Sequence, residues 1–544
     1  MNFSLYYHTL KHVKPIQLYY QVYYRLKNRF FKDSLSSCSL KSFPIHLKSL
    51  LLFKDSYKGN QSFEFLNLEK EFTDIDWNYN SYGKLWTYNL NYFDFLNQEH
   101  ISEAAGLKLI KDFIEKGPDL MDGIEPYPIS LRGINWIKFL SRYGITDSSI
   151  DSFLYRDYQR LSKNLEYHLL ANHLLENGFS LLFGAYYFQD DNLYKKADKI
   201  LKEELEEQIL EDGTHFELSP MYHQIIFHRL LDSYNLVKNN RWKDQELILL
   251  LREKARLMFG WLESISFKNG EIPYLNDSTF GIAPTTSELT EYAVSLGLKP
   301  KKMRLGDSGY RKWNVNDMEI IMDVGQIAPS YQPGHSHADS LQFVLNYKDK
   351  PIVVDTGIST YEKNERRQLE RSTASHNTVT INGENSSKVW GGFRVADRAK
   401  VVLVSDESKK IEAYHNGFTK QGVIHHRKFQ FAEAQFSIED KLVASNETYE
   451  ATGHIHFHPD CDIELKESSI IINKEIEVHI LGAEKLELMT YDFAEGFNQL
   501  KSARKIAYDF KHQVRINIQS IIGNNRTVHE NYDLQTVFKA ALNN

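Results

Sequence analysis

The spacing of apolar residues changes once along this 544-residue chain, and that change limits the possible folds more than any other feature. Up to about residue 300, stretches such as ISEAAGLKLIKDFIEKG and NHLLENGFSLLFGAYYFQD carry apolar residues at three-and-four spacing, over lengths that strands do not reach. From about residue 315, short runs rich in Val, Ile, Phe and Thr, such as DMEIIMDVG and EIEVHILG, are separated by turn residues. The pattern predicts an all-α domain of helical hairpins followed by an antiparallel β-sandwich.

The same pattern predicts the domain organisation. We expect an N-terminal helical extension at residues 1–60, a helical domain at 61–300 and a β-sandwich domain at 315–544. The boundary is expected within 270–315, where KNGEIPYLNDSTFGIAPTTSELT is rich in turn residues. Two large domains are also what a chain of this length requires, since it exceeds one ordinary hydrophobic core.

Charge, cysteine content and the first 30 residues exclude several classes of protein. A formal net charge of -7 gives no indication of nucleic-acid binding. The two cysteines, Cys38 and Cys461, lie in opposite halves, which excludes a disulfide framework and a cysteine metal site. Polar residues interrupt every apolar run in MNFSLYYHTLKHVKPIQLYYQVYYRLKNRF, and no later stretch reaches membrane-spanning length. Without a signal peptide, the sequence predicts a cytoplasmic location, with periplasmic or secreted export by another route as the alternative.

The stretch PGHSHADSLQF, residues 333–343, is the most distinctive in the β region. His335, His337 and Asp339 alternate along it, so an extended backbone would place their side chains on one side. The run IVVDTG then ends near Asp355, and RSTASHNTV carries His376. Because Zn²⁺ accepts imidazole nitrogen and carboxylate oxygen, histidines and an aspartate on neighbouring strands suit a zinc site. Hydrogen-bonded structural histidines are the alternative.

The helical half contributes three further groups of candidate residues. In ANHLLENG, two polar residues lie on the same helical face as a glutamate one turn later. In DGTHFELSPMYH, a tyrosine and a histidine follow a Ser-Pro helix start. SLRGINWIKFL carries an arginine, an asparagine and a tryptophan at one end of a predicted helix. Each residue alone also has a structural explanation, as a cap, a buried hydroxyl or a core side chain. The candidates are Asn172, His173 and Glu176; Tyr222 and His223; and Arg132, Asn135 and Trp136.

Together these groups suit β-elimination of a uronic-acid polysaccharide. An amide or imidazole that binds the C6 carboxylate stabilises the enolate-like transition state. A general base must remove the C5 proton, a general acid must protonate the departing glycosidic oxygen, and tyrosine and histidine can divide these roles. No Asp/Glu pair stands out as the paired carboxylates of a glycosidase.

At these residues the chain resembles the heparinase II/III-like polysaccharide lyases. The resemblance carries NHLLENG, DGTHFELSPMYH, GHSHADSLQF, VVDTG, RSTASHNTV and WGGFR in order, covering most of residues 85–460, and is most specific from Gly334 to Arg394. It implies an incomplete (α/α) toroid followed by an antiparallel β-sandwich, with the cleft where the two meet.

The resemblance also implies catalytic roles. Asn172 or His173 would bind the uronate carboxylate, Tyr222 would be the acid and on some epimers also the base, and His335 would be the base or its partner. The stretch ERRQLER, residues 365–371, is expected to be a solvated loop except at Arg371.

The remaining implied roles concern the metal and the sugar cleft. A structural zinc ion is expected in the β-domain, with no organic cofactor, and Asp339 is expected to be a structural carboxylate. The expected zinc ligands are His337, Asp355 and His376. The residues expected to bind substrate in the cleft are Arg132, Asn135, Trp136, Glu176, His223 and Arg371.

The leading hypothesis is therefore a lyase for an acidic, uronate-containing polysaccharide, in a capsule or exopolysaccharide setting. The first alternative is a glycan hydrolase or other glycan-modifying enzyme on the same scaffold. The second is a non-catalytic glycan-binding or assembly protein that has kept the cleft. The sequence leaves the oligomeric state open.

Overall fold

The structure is a computed structural model that describes residues 3–30, 41–243, 246–432, 435–446, 448–467 and 469–521. Within these ranges it contains twelve α-helices and twenty-one β-strands. Cys38 and residues 522–544 of the predicted sandwich domain lie outside the described residues.

The helices occupy the first half of the chain, apart from one short helix in the β region. Their bounds are α1 Phe3–Leu10, α2 Pro15–Phe30, α3 Lys84–Tyr92, α4 Glu103–Glu115, α5 Pro126–Tyr143, α6 Ser148–Lys163, α7 Ala171–Phe188, α8 Asp191–Gln208, α9 Pro220–Asn239, α10 Glu246–Ile265, α11 Thr286–Ser295 and α12 Glu365–Glu370.

Consecutive helices pack as hairpins, with α7 against both α5 and α8, and α9 against both α10 and α11. The central helix α7 is buried along almost its whole length, which explains why its sequence is apolar on every side. Outer helices such as α6 and α8 bury one stripe only. This is the predicted toroid of helical hairpins, and the expectation of its fold is confirmed. Among the described helices, none combines the length and the apolar run that crossing a bilayer demands.

A three-stranded antiparallel sheet, β1 (Tyr57–Gly59), β2 (Ser62–Phe65) and β3 (Leu68–Glu71), precedes α3, where the sequence pattern had predicted helices. Its turns place Asn60 and Gln61, and then Leu66 and Asn67, at positive φ. Strands of three or four residues are too short for alternation to be recognised in the sequence.

The second half of the chain is built of antiparallel strands. Their bounds are β4 Tyr310–Val315, β5 Met318–Asp323, β6 Phe343–Tyr347, β7 Lys350–Val353, β8 Val379–Ile381, β9 Val389–Trp390, β10 Arg394–Val395, β11 Val401–Glu407, β12 Lys410–His415, β13 Val423–Ala432, β14 Gln435–Ala444, β15 Ala451–His456, β16 Ile463–Leu465, β17 Ser469–Ile472, β18 Ile476–Leu481, β19 Lys485–Gly496, β20 Gln499–Phe510 and β21 Gln513–Ser520.

One sheet has eight strands in the order β11-β12-β13-β14-β21-β18-β17-β16. Two four-stranded sheets, β4-β5-β6-β7 and β19-β20-β15-β8, are joined by a bridge between Val353 and Phe457. Buried residues alternate with exposed ones along β13 and β14, and the core contains apolar residues of all three sheets. The predicted antiparallel sandwich is confirmed.

A smaller apolar core joins the two halves. Leu218 and Trp261 from the helical half pack with Tyr310, Ile321 and Val344 from the first strands of the β half. This contact fixes the helical domain against the β-domain.

Candidate active site

A concavity lined by polar and aromatic side chains lies between the helical half and the β half. It has a volume of about 530 Å³. The four residues expected to be catalytic, Asn172, His173, Tyr222 and His335, all line it. The tertiary structure thus brings together side chains that are up to 163 positions apart in the sequence.

The start of α9 positions Tyr222. Ser219 caps the helix by accepting a hydrogen bond from the backbone N–H of Tyr222, and Pro220 occupies the first helical position, where it costs no hydrogen bond. Leu218, just before the cap, has a φ of 54°, a left-handed conformation that a leucine rarely adopts. This strained turn sets the direction in which the first turn of α9, and with it Tyr222, enters the cleft.

The start of α7 positions Asn172 and His173 in a similar way. Leu170 and Ala171 have φ values of 60° and 54°, so the chain turns sharply before the helix begins. The Asn172 amide nitrogen donates to both carboxylate oxygens of Glu217, at 2.9 and 2.8 Å. His173 Nδ1 lies 3.1 Å from Oε1 of Glu166. Burial lowers the pKa of His173, but the Glu166 carboxylate outweighs it and the net shift is upward.

The segment that carries His335 and His337 is not a strand. The backbone from 333 to 342 forms turns and bends, and β6 begins only at Phe343. Simple strand alternation therefore does not apply here, and the side chains of His335 and His337 can face different ways. Both histidines converge on Asp277, with His335 Nδ1 2.9 Å from Oδ2 and His337 Nε2 2.8 Å from Oδ1. His335 borders the cleft, whereas His337 is fully buried behind it.

Asp277 is the central residue of this arrangement, and sequence reasoning missed it. It also accepts two hydrogen bonds from Arg367, at 2.6 and 2.7 Å. Burial raises the pKa of Asp277, but Arg367 and the two histidines outweigh it and hold that pKa well below its ordinary value. Asp277 lies in the turn-rich stretch YLNDSTF, where an aspartate most often serves the turn itself, so the pattern gave no signal of this role.

Arg367 corrects a second expectation. It belongs to ERRQLER, which was expected to be a solvated loop apart from Arg371, but the segment forms α12 and Arg367 is fully buried. The charge pattern misled because a basic run is normally solvated, and only the tertiary structure supplies the buried partner Asp277.

Tyr222 and His335 are stacked at the centre of the cleft. Their ring centroids are 3.8 Å apart and the rings are inclined by 29°. The hydroxyl of Tyr361 donates to the Tyr222 oxygen at 3.4 Å. Burial raises the pKa of Tyr222 well above its ordinary value, so its hydroxyl keeps its proton at neutral pH. Nε2 of His335 faces Glu217, 3.6 Å from Oε2.

Several residues expected to bind substrate are not brought to the cleft. Arg132 is buried and forms an ion pair with Asp157, with 2.6 Å between Nη2 and Oδ2. Trp136 lies in the hydrophobic core of the toroid. Asn135 donates to Asp94 at 2.6 Å and is fully buried. Arg132 and Asn135 lie in the middle of α5 and are bonded to acidic residues of other segments, which the linear pattern could not distinguish from a sugar-binding set.

The other three have structural contacts as well. His223 Nε2 lies 2.9 Å from the carbonyl oxygen of Met258, and Arg371 donates to the backbone oxygens of Gly392 and Ser336 at 2.8 Å. Glu176 is buried against Arg229, with 3.0 Å between Oε1 and Nε. Of these residues, only Arg229 lines the cleft.

The three expected zinc ligands lie close together but do not form a ligand set. His376 Nδ1 is 2.8 Å from Asp355 Oδ2, and the rings of His337 and His376 are 5.3 Å apart. Nδ1 of His337 and Nε2 of His376 are buried without a hydrogen-bond partner. Across the part of the chain that the structure describes, no three His, Cys, Asp or Glu side chains are arranged to hold a metal ion. Asp339 accepts a hydrogen bond from Gln342 at 2.6 Å.

Comparison with known proteins identifies two matching family models. One, described as Heparinase II/III N-terminus, matches residues 129–296, and the other, described as Heparinase II/III-like, C-terminal, matches residues 298–523. The two matches adjoin between α11 and β4.

Individual relatives are distant. Heparin-sulfate lyases of Pedobacter heparinus and Bacteroides stercoris are each 23% identical to this chain, over 339 and 332 residues. These alignments cover 56% and 54% of this chain and 49% and 46% of the relatives, so the chain spans about half the length of the curated relatives it matches. A crystal structure of heparinase III superposes with a TM-score of 0.65 at 14% identity, over 93% of this chain and 91% of that one, which shows a shared fold.

Proposed function

Because this chain belongs to the heparinase II/III-like family, we propose that it is a polysaccharide lyase that cleaves an acidic, uronate-containing polysaccharide by β-elimination. The observation that carries the proposal is the stacked pair of Tyr222 and His335 in a cleft that the imidazole of His173 also lines. A link to capsule or exopolysaccharide metabolism is part of the same proposal.

His173 is better suited than Asn172 to bind the uronate carboxylate. Its side chain is 35% exposed, whereas Asn172 is buried and its amide nitrogen is already bonded to Glu217. The raised pKa of His173 favours the imidazolium form, which pairs with a carboxylate more strongly than a neutral group does. Withdrawing charge from the carboxylate stabilises the enolate-like transition state once the C5 proton leaves.

The contact between His335 and Asp277 suits His335 for the role of base. An ionised carboxylate can only accept hydrogen bonds, so the His335 nitrogen facing Asp277, Nδ1, carries the proton and Nε2 keeps a lone pair. Nε2 would take the C5 proton, the electrons of that bond would form the C4–C5 double bond, and the bond from C4 to the glycosidic oxygen would break. Tyr222, whose hydroxyl stays protonated, would donate its proton to the departing oxygen.

The test is the ultraviolet absorbance of the unsaturated product, measured on a panel of uronate polysaccharides that includes the producing organism's own capsule. Tyr222→Phe and His335→Ala are each expected to lower the rate by at least about a hundredfold, because each removes a proton-transfer group. Absorbance that persists in Tyr222→Phe would remove this residue from the mechanism. Depolymerisation without new absorbance would favour a hydrolase, and binding without any turnover would favour the non-catalytic alternative.

A structural zinc ion is a separate part of the proposal. If His337 and His376 donate to Asp277 and Asp355, their other ring nitrogens, both unpartnered and buried, carry lone pairs. Imidazoles oriented by carboxylates in this way would supply two of the donors of a tetrahedral zinc ion, with Asp355 orienting His376 rather than binding the metal.

Elemental analysis of the purified protein tests this part, with about one zinc ion per chain expected. The matched variants are His376→Gln, which should lose the metal, and His458→Gln, which should retain it. A wild-type protein without stoichiometric metal would refute the zinc proposal and leave the lyase proposal standing, because no step of the reaction passes through the metal.

A further inference from the structure

The first two helices expose apolar side chains where a packed helix would bury them. On α2, Tyr19, Val22, Tyr23 and Leu26 recur at the three-and-four spacing of one helical face, and all are exposed. With Ile16 and Leu18 they form a stripe whose residues are between 40% and 62% exposed. On α1, Tyr6, Tyr7 and Leu10 are exposed at the same spacing. We call these nine residues the tyrosine face.

The opposite face of α2 holds the helix on the protein. Gln17 is buried and donates to the backbone oxygen of Leu169 at 3.1 Å, and the Tyr24 hydroxyl donates to that of Leu165 at 2.6 Å. Tyr20 stacks on Tyr167 with 4.8 Å between ring centroids. The inward side of α2 is thus the hydrogen-bonded side and the outward side is the apolar one, so the exposure of the tyrosine face follows from defined contacts.

The segment around the tyrosine face is strongly basic. Residues 1–32 contain six Lys and Arg and no Asp or Glu, in a chain whose net charge is -7. Arg25 and Arg29 are exposed on α2, and Lys11 is exposed directly after α1. Lys14 pairs with Glu207 on the inward side. The charge that accompanies the outward apolar stripe is therefore positive.

We propose that the tyrosine face binds the surface of an anionic lipid bilayer, with α2 lying in the plane of the membrane. An amphipathic helix with Lys and Arg beside an apolar stripe binds the boundary between headgroups and acyl chains. Tyrosine rings, apolar in the body and polar at the tip, favour the same boundary. The basic side chains add attraction to anionic headgroups.

Charge also argues against a second copy of the chain as the binding partner of the tyrosine face. In a two-fold dimer each patch meets itself, so the same basic residues would be brought together. Like charges in contact oppose association, whereas an anionic surface attracts them.

This surface lies beside the cleft. Leu169, whose backbone oxygen anchors α2, lines the cleft, and the Trp390 indole donates to Thr9 of α1 at 3.2 Å. The two helices thus bridge the helical half and the β half at one side of the site. Bilayer binding would hold the cleft near the membrane surface, and this inference does not depend on which reaction the cleft performs.

The test is co-sedimentation of the full chain with vesicles of equal parts phosphatidylcholine and phosphatidylglycerol, and with vesicles of phosphatidylcholine alone. The wild type is expected to sediment with the anionic vesicles and only weakly with the neutral ones. The first variant replaces four residues of the stripe and should lower the bound fraction on the order of tenfold. It carries Tyr19→Ser, Val22→Ser, Tyr23→Ser and Leu26→Ser.

A matched control variant replaces four apolar residues of similar exposure elsewhere and should bind like the wild type. It carries Leu249→Ser, Val294→Ser, Leu481→Ser and Leu500→Ser. A third variant, Lys11→Gln with Arg25→Gln, keeps the apolar stripe and should bind anionic vesicles more weakly, which tests the charge without altering the packing of α2.

Three results would overturn the inference. The wild type could remain in the supernatant with both kinds of vesicle, or the control variant could lose binding as fully as the stripe variant. The third is a wild-type dimer in solution that the stripe variant converts to a monomer while neither binds vesicles, which would assign the tyrosine face to self-association.

Discussion

Replacing Asp277 with asparagine tests whether one buried carboxylate organises the site. Asp277 is fully buried and accepts hydrogen bonds from both nitrogens of the Arg367 fork, from His335 and from His337. An asparagine preserves the size of the side chain but removes the charge. The guanidinium of Arg367 would then be a buried cation whose other hydrogen-bond partner is the backbone oxygen of Gly392, at 3.1 Å.

The stability cost follows from that unpaired charge. Removing one partner of a buried ion pair costs about 3–5 kcal/mol. For a chain of this size, the free energy of unfolding falls by about 3 kcal/mol or more for each molar of urea, so the urea midpoint of unfolding should fall by roughly 1 M. The rate should fall by about a hundredfold, because His335 would lose the acceptor that fixes its position and its proton, and a shift of about 1 Å is enough for such a loss.

A double variant separates the two effects. Asp277→Asn with Arg367→Met removes both charges, so the urea midpoint, followed by circular dichroism, should return most of the way to the wild-type value. The rate of product absorbance should stay low, since His335 still lacks its carboxylate. A single Asp277→Asn variant with the wild-type rate would refute the positioning role, and a double variant as unstable as the single one would refute the account of the buried charge.

Two further predictions concern the stability of the two domains. In the sandwich, burial raises the pKa of Asp440, but Arg427 outweighs this effect and the net shift of the pKa is downward. Asp440→Asn should therefore lower the urea midpoint of unfolding at neutral pH. The difference in midpoint between variant and wild type should shrink as the pH falls below about 3.9, where an unfolded aspartate takes up its proton. A deficit that does not change with pH would contradict this, as measured by urea unfolding across a pH series. In the toroid, Gly260→Ala should cost about 1–3 kcal/mol because a Cβ would collide with the backbone oxygen of Lys301. The control Gly306→Ala, beyond the toroid, should unfold thermally like the wild type, because its Cβ would meet only the Arg304 backbone oxygen at an ordinary 3.8 Å.

The cleft shows how far sequence reasoning reached. The four residues expected to be catalytic line one cavity, and both expected histidines of PGHSHADSLQF lie where a carboxylate can orient them. Their catalytic and metal roles stay predictions until they are measured. The motifs identified these residues because catalysis requires particular chemical groups at particular places, and such groups recur in recognisable local patterns.

The contacts that organise the site were not predictable in the same way. Asp277 and Arg367 are 90 positions apart, and each sits in a stretch whose ordinary explanation, a turn or a solvated basic run, is sufficient by itself. Arg132, Asn135 and Trp136 show the opposite case. They were expected in the cleft but are buried in the middle of α5, because polar residues on a helix suit a sugar site as well as they suit a buried network.

The sequence by itself determined the order of the two architectures and four polar or aromatic residues of the cleft, because the period of apolar residues and the chemistry of short motifs are local properties. The tertiary structure alone decided which charges are buried together, as in the pairing of Asp277 with Arg367. It also decided which apolar residues of α2 face outward. Pairing and exposure depend on distant segments of the chain, and the free energy of a buried charge is set by neighbours that no local pattern contains.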